Sequence, residues 1–228
     1  METLADRIDR VNERIQQACR RSGRKAQEIL LVAVTKTLPA ERILEALTEG
    51  LTHFGENYIQ EAKQKIEQIH QGTWHFIGHL QSNKAKIAVK FFSMIETLDR
   101  LSLAEELNRQ AELSGKVLEV LLQVNEAGEE SKSGLPPDQV PSFLEAAPSW
   151  SHLRLRGLMA IPPYEPDPEL SRRWFRSLHQ WQGKWQSRFP DLDLSQLSMG
   201  MSHDFETAIE EGATIIRVGT AIFGTRGT

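Results

Sequence analysis

The stretch Ile29-Leu30-Leu31-Val32-Ala33-Val34-Thr35-Lys36-Thr37-Leu38-Pro39 begins as an unbroken apolar, partly β-branched run and ends on a proline. Such a run has the length of a strand buried on both faces. Pro39 is suited to open a helix, which carries Ile43, Leu44 and Leu47 and stops at Gly50. The same strand-then-helix unit recurs along the chain. A short strand at 53–55 precedes a helix with Ile59, Ala62, Ile66 and Ile69, and a third strand at 74–78 leads to a helix that Ser82 can cap. Strand four is read at 91–95, with Asp99 as the cap of a helix ending at Gly115. Strand five, 117–124, is followed by a polar loop and a helix starting at Pro136-Pro137. Strand six covers 153–161, and a loop at 162–168 enters a long helix with Leu170, Trp174, Phe175, Leu178 and Trp181 along one side. Strand seven is read at 197–199, its helix at 204–210 closes on Gly212, and strand eight covers 214–218.

Strands that alternate with helices predict an α/β fold with a parallel sheet. An open doubly wound sheet alternates in the same way. Here the strand count reaches eight and no strand runs into a G-x-G-x-x-G turn, so the expectation is a single TIM-type (β/α)8 barrel. Ahead of it, Leu4, Ile8, Val11, Ile15 and Cys19 fall at steps of three and four, one apolar stripe on an extra N-terminal helix. Residues 1–228 therefore read as one domain, with 1–28 as helix and connection. Cys19 continues the stripe and reads as a packed thiol rather than a nucleophile.

The bulk properties agree. A chain of 228 residues, 39% hydrophobic and 25% charged, is ordinary for a globular protein and long enough for one barrel of roughly 200–250 residues. A net charge of −4 argues against a nucleic-acid binder, which usually carries a concentrated basic face, and stays compatible with a local basic patch. One cysteine cannot form an internal disulfide. The N-terminus is charged throughout, and apolar runs such as 30–34 are far shorter than the roughly 20 residues a membrane span needs. A cytoplasmic protein with no membrane partner is the expectation.

In a barrel, side chains at the carboxyl ends of the strands converge on the functional face. Lys36 ends strand one, where partial desolvation favours the neutral amine that attacks carbonyls, although a solvated strand-end lysine fits the position too. At the other end of the chain, Arg217-Val218-Gly219-Thr220-Ala221 leaves strand eight through a glycine and a hydroxyl. Gly219 lets backbone N–H groups approach an anion, Thr220 adds a donor, and a short helix can start at Ala221. Strand seven supplies Ser198-Met199-Gly200-Met201-Ser202, again small and hydroxyl-bearing, with Ser202 placed to cap the next helix. Plain capping and plain turns account for each piece alone. Two such loops beside a strand-one lysine make a phosphate-bearing aldehyde a coherent ligand.

These residues also resemble a known family. Ala33-Val34-Thr35-Lys36, Phe54-Gly55-Glu56-Asn57-Tyr58, the run from Trp74 to Lys84, Gly157-Leu158-Met159, Leu197-Ser198-Met199-Gly200-Met201-Ser202 and Arg217-Val218-Gly219-Thr220 are similar, in order, to the pyridoxal phosphate homeostasis proteins of the YggS/PROSC type. The one departure noted is His203, where an acidic residue is expected. The resemblance implies the barrel of alanine racemase and pyridoxal 5′-phosphate held as an imine on Lys36, without a robust reaction. It implies a role in vitamin B6 homeostasis and amino- and keto-acid balance, with transfer to PLP-requiring apo-enzymes among the options. By matching positions, Asn57 would lie against the ring and Arg217 would face the pyridine nitrogen. Ser198 or Ser202, with Gly200, Gly219 and Thr220, would hold the phosphate. A cationic Arg217 disfavours protonating that nitrogen and weakens the ring as an electron sink. Its structural alternative is an arginine that bridges helix and strand.

A rival reading is a PLP-dependent racemase or decarboxylase. Those relatives use a second domain that builds a dimer and supplies an acid–base group for the other substrate face. This chain stops soon after strand eight, so a monomer with no turnover is expected. A Schiff-base aldolase without cofactor is the third option, and it predicts a colourless protein. His53, His75 and His79 match no familiar zinc spacing, and no metal is expected. Lys84, Lys86, Arg172, Arg173 and Arg176 read as solvated helix faces, and the loop with Glu129, Glu130 and Lys132 as a connection able to cover the mouth or simply a surface loop.

Overall fold

The computed structural model describes residues 2–128 and 133–225. Its strands are β1 (Leu30–Val34), β2 (His53–Glu56), β3 (Thr73–Phe76), β4 (Met94–Leu98), β5 (Leu118–Val124), β6 (Leu153–Ala160), β7 (Gln196–Met201) and β8 (Ile215–Val218). All pair in parallel with their sequence neighbours, and β8 closes on β1. The expected barrel is the observed one.

The helices are α1 (Leu4–Ser22), α2 (Ala40–Thr48), α3 (Ile59–Ile69), α4 (Ala85–Phe91), α5 (Leu101–Leu113), α6 (Val140–Ala146), α7 (Pro168–Arg188), α8 (Phe205–Glu210) and α9 (Thr220–Phe223). α1 forms because its stripe can be buried: Leu4, Ile8, Val11, Ile15, Ala18 and Cys19 all face inward, and the helix lies against α8 and α9. Thr3 and Asp6 close a capping box at its start, and Gly23 ends it in the left-handed conformation.

Strand alternation sorts the side chains into two layers. Outward residues such as Ala33, Phe54, Trp74, Ile95, Leu122, Leu197 and Ile216 join the helices in the large core. Val32, Met94, Leu121, Met159 and Ile215 form a separate cluster inside the barrel, contributed by five strands.

Several local expectations are corrected. β4 starts at Met94, not 91, because Phe91 completes α4 and Phe92 packs edge-on against Phe76. Pro136-Pro137 enters a turn closed by Gln139 N–H to the Pro136 carbonyl, and α6 starts only at Val140. The buried stripe of α7 is Ser171, Phe175, Leu178 and Trp185, while Leu170 is 51% exposed. Ser82 opens a single 3-10 turn before α4 instead of capping it, and Asp99 accepts from Arg100 Nη1 while Arg100 itself holds the cap position of α5. The short helix expected from Ala221 after β8 is α9, which starts one residue earlier, at Thr220.

Candidate functional site

The residues singled out above lie on β1, β2, β7 and β8 or in the turns that leave them, so they reach one end of the barrel. Lys36 stands two residues beyond the end of β1 rather than on it, in the turn before α2, and is half-buried. Asn57 follows β2 directly. Its Oδ1 is buried and has no hydrogen-bond partner. Gly78, in the loop after β3, packs against Asn57 so closely that a Cβ there would lie 2.2 Å from the Asn57 carbonyl oxygen. Glycine at 78 thus lets the two loops touch. A cleft of about 180 Å³ opens beside them, walled by Asn57, Ile77, Gly78, His79, Thr97 and Gln123 among others. A larger cavity, about 550 Å³, lies between α2 and α3, away from β7 and β8.

Beyond β7, Ser202 corrects its expected role. Asp204 occupies the cap position of α8, and its carboxylate accepts from Met201 N–H at 2.8 Å. The Ser202 hydroxyl instead reaches across to the turn after β8 and accepts from Gly219 N–H at 3.1 Å and Ala221 N–H at 3.2 Å. Two backbone donors therefore converge on one oxygen position, with Thr220 exposed between them. A phosphate oxygen would fit these donors by replacing the Ser202 hydroxyl that now accepts from both. Gly200 sits behind it with φ +90°, tight against α8.

Ser198 and Arg217 are placed differently. Ser198 is fully buried, donating to Glu96 Oε2 at 2.5 Å and accepting from Arg217 Nη1 at 2.5 Å. Arg217 also donates to the Ala160 carbonyl at 2.9 Å. Glu96 Oε1 meets His75 Nδ1 at 2.7 Å, and His75 Nε2 meets His53 Nδ1 at 3.0 Å. Side chains of β2, β3, β4, β7 and β8 thus make one hydrogen-bonded chain through the barrel interior. Burial alone would raise the Glu96 carboxyl, but His75, Arg217 and Ser198 outweigh it and hold the group below the usual carboxylate range. Burial pulls the Arg217 guanidinium down, with Glu96 and Asp204 acting against it. Burial and the neighbouring His75 lower His53.

The residue types of this chain are visible in the sequence. Their connection is not, because each partner comes from a different strand. Glu96 was missed, and only its place two residues after the inward Met94 could have signalled it. Among the described residues no group of three or more His, Cys, Asp or Glu gathers to hold a metal. His203 turns away to Tyr164 and the Glu165 carbonyl, 3.0 Å off. Arg172 and Arg176 are not merely solvated: they pair with Glu211, and Arg172 also with Glu210. Glu129, Glu130 and Lys132 lie outside the described residues.

Residues 7–227 match the family described as alanine racemase, N-terminal domain. The pyridoxal phosphate homeostasis protein of Aquifex aeolicus is 44% identical over 223 residues, covering 97% of both chains. That of Escherichia coli K12 is 42% identical over 233 residues, with 99% and 98% covered. The chain belongs to the pyridoxal phosphate homeostasis protein family. Among solved structures, PipY of Synechococcus elongatus PCC7942, a family member with PLP bound, superposes with a TM-score of 0.86 at 36% identity, covering 97% of this chain and 100% of PipY. Alanine racemase of Clostridium difficile gives a TM-score of 0.76 at 13% identity over 57% of its length, a likeness of fold alone. No described helix is long and apolar enough to cross a membrane.

Proposed function

We propose that this chain holds pyridoxal 5′-phosphate at the barrel mouth, covalently through the Lys36 amine, and serves vitamin B6 homeostasis without turnover of its own. The observation that carries this reading is the close relative with PLP bound, 36% identical over 97% of this chain. Its support here is the pair of convergent N–H donors at Gly219 and Ala221, in the turn that leaves β8, the strand paired with β1 ahead of Lys36. The cofactor supplies an electrophilic aldehyde, an anionic tail and a pyridine ring. Lys36 offers the attacking amine, and Asn57 a buried acceptor beside the ring. Ser202, Gly200, Gly219 and Thr220 form the phosphate end. Ser198 is assigned to hold Arg217 rather than the phosphate, since its hydroxyl is committed to Glu96 and Arg217. Arg217 keeps a cation where a pyridine nitrogen would otherwise gain a proton. That discourages carbanion chemistry and agrees with relatives named for homeostasis rather than for a reaction.

The protein mixed with PLP is expected to turn yellow, and Lys36→Ala to stay colourless. After borohydride reduction, peptide mapping should place the added mass on Lys36. Attachment at another lysine, or at none, rejects the assignment. A panel of amino acids monitored for chirality tests the racemase alternative, since sustained turnover would overturn the non-enzymatic reading. Transfer to a PLP-requiring apo-enzyme is the further step we assign; reactivation no faster than by free PLP at equal concentration would remove it. The expected monomer is checked by sedimentation.

A further inference from the structure

We infer that Lys65, with Glu61 and Glu56, is a positioning residue that clamps the turn carrying Lys36 and thereby sets the reactivity of the Lys36 amine. The biological meaning rests on Lys36 as the attachment point, but the clamp itself is read from geometry alone.

Lys65 lies on α3, and it is only 6% exposed, which is unusual for a lysine. Its ammonium donates to the Thr35 carbonyl at 2.8 Å, to Glu56 Oε1 at 2.8 Å and to Glu61 Oε1 at 2.5 Å. All three of its donors are spent. Glu61, one helical turn before Lys65, then accepts the Thr37 N–H at 2.5 Å with the same oxygen. Glu56, on the outward face of β2, also takes the Thr35 hydroxyl at 2.7 Å. The backbone on each side of Lys36 is therefore tied to one charged pair on one helix: the carbonyl before it and the amide after it.

The turn needs such a hold. Thr37 has φ 63°, a left-handed conformation that a β-branched residue rarely adopts. Without an acceptor for its N–H it would relax toward extended backbone and swing Lys36 off the mouth. Apolar packing could hold the loop down, but it could not fix the direction of an amide and a carbonyl. A buried ion cluster does that at an electrostatic cost. The cost shows in Glu56, whose carboxyl burial pushes up against the pull of Lys65 and Thr35.

The test uses the full ligand-free chain, with Lys65→Met, Glu61→Ala and Glu61→Gln. Glu61 is partly exposed, so its variants remain informative if Lys65→Met does not fold. Two readouts are taken: hydrogen exchange at the Thr37 amide, and the rate of Lys36 reductive methylation by formaldehyde relative to the surface lysines, from peptide mass spectrometry. Exchange at Thr37 should rise at least about tenfold in Lys65→Met and Glu61→Ala, and the relative methylation rate of Lys36 should change severalfold with it. Glu61→Gln keeps the acceptor oxygen and should stay near wild type in both. A folded Lys65→Met or Glu61→Ala with fast Thr37 exchange and unaltered Lys36 methylation overturns the inference, as does unaltered exchange. Neither readout uses PLP, so a wild type that fails to take the cofactor at Lys36 refutes the proposed function and leaves this result to stand or fall separately.

Discussion

Gly200 shows how closely the phosphate end is built. At φ +90°, a Cβ would fall 2.5 Å from the Ala208 methyl and 3.0 Å from Phe205 Cα. Gly200→Ala should therefore cost about 1–3 kcal/mol in urea denaturation and weaken PLP uptake, because it displaces the turn that carries Ser202. Glu126, in the loop after β5, makes a second prediction. Burial pushes its carboxyl up to about 7, with a small opposing pull from Ser177. The fold thus prefers the neutral acid: stability is full below about 4.5 and is lost as pH rises through 7. Glu126→Gln should be more stable than wild type at pH 8 by up to about 3 kcal/mol, with the gap closing at pH 5. A pH-independent gap in paired urea titrations would contradict this. Lys36, Gly219 and Ser202 stand out in the sequence because reactive or small residues follow the strands there, but Ser202 reads as a helix cap, which the structure gives to Asp204. Glu96 and Lys65 do not stand out, since a carboxylate in an apolar strand and a lysine on a helix gain meaning only from partners elsewhere.

The helices and strands were read well where one periodicity ran clean. α1 is the clearest case, its predicted stripe buried residue for residue. Ile8→Ala on that stripe should cost about 2–5 kcal/mol, measured as the shift in the unfolding midpoint, because α8 and α9 cannot close over the space. Boundaries failed where two elements shared one apolar run. Residues 87–95 are apolar nearly throughout, so nothing local separates the end of α4 from the start of β4. In α7 the aromatic side chains pointed to a stripe through Leu170, but the helix turns Ser171 inward. Ser171 is fully buried, and hydrophobicity does not report a small polar residue on the packed side.

Across the whole molecule, the interior chain from His53 to Arg217 joins five strands. Such a network is costly to break and cheap to keep once complete. Arg217→Met should remove the guanidinium charge beside Glu96, which keeps its hydrogen bonds with His75 and Ser198, and cost about 1.5–3 kcal/mol. The double variant with Glu96→Gln should recover part of that loss, so the two effects should not add in a double-mutant cycle. Additive losses would mean that the pair does not interact, although the guanidinium and carboxylate lie 4.0 Å apart.

From the sequence alone came the barrel and the N-terminal helix, because periodicity is a local property that one chain displays in order. The register of β7 on β8 and the packing of the barrel interior decided the rest. They set which serine faces the turn after β8 and which is locked beneath Arg217, and they threaded polar side chains of five strands into one interior path. Those outcomes depend on which atoms meet across the barrel, and no spacing along a chain carries that distance.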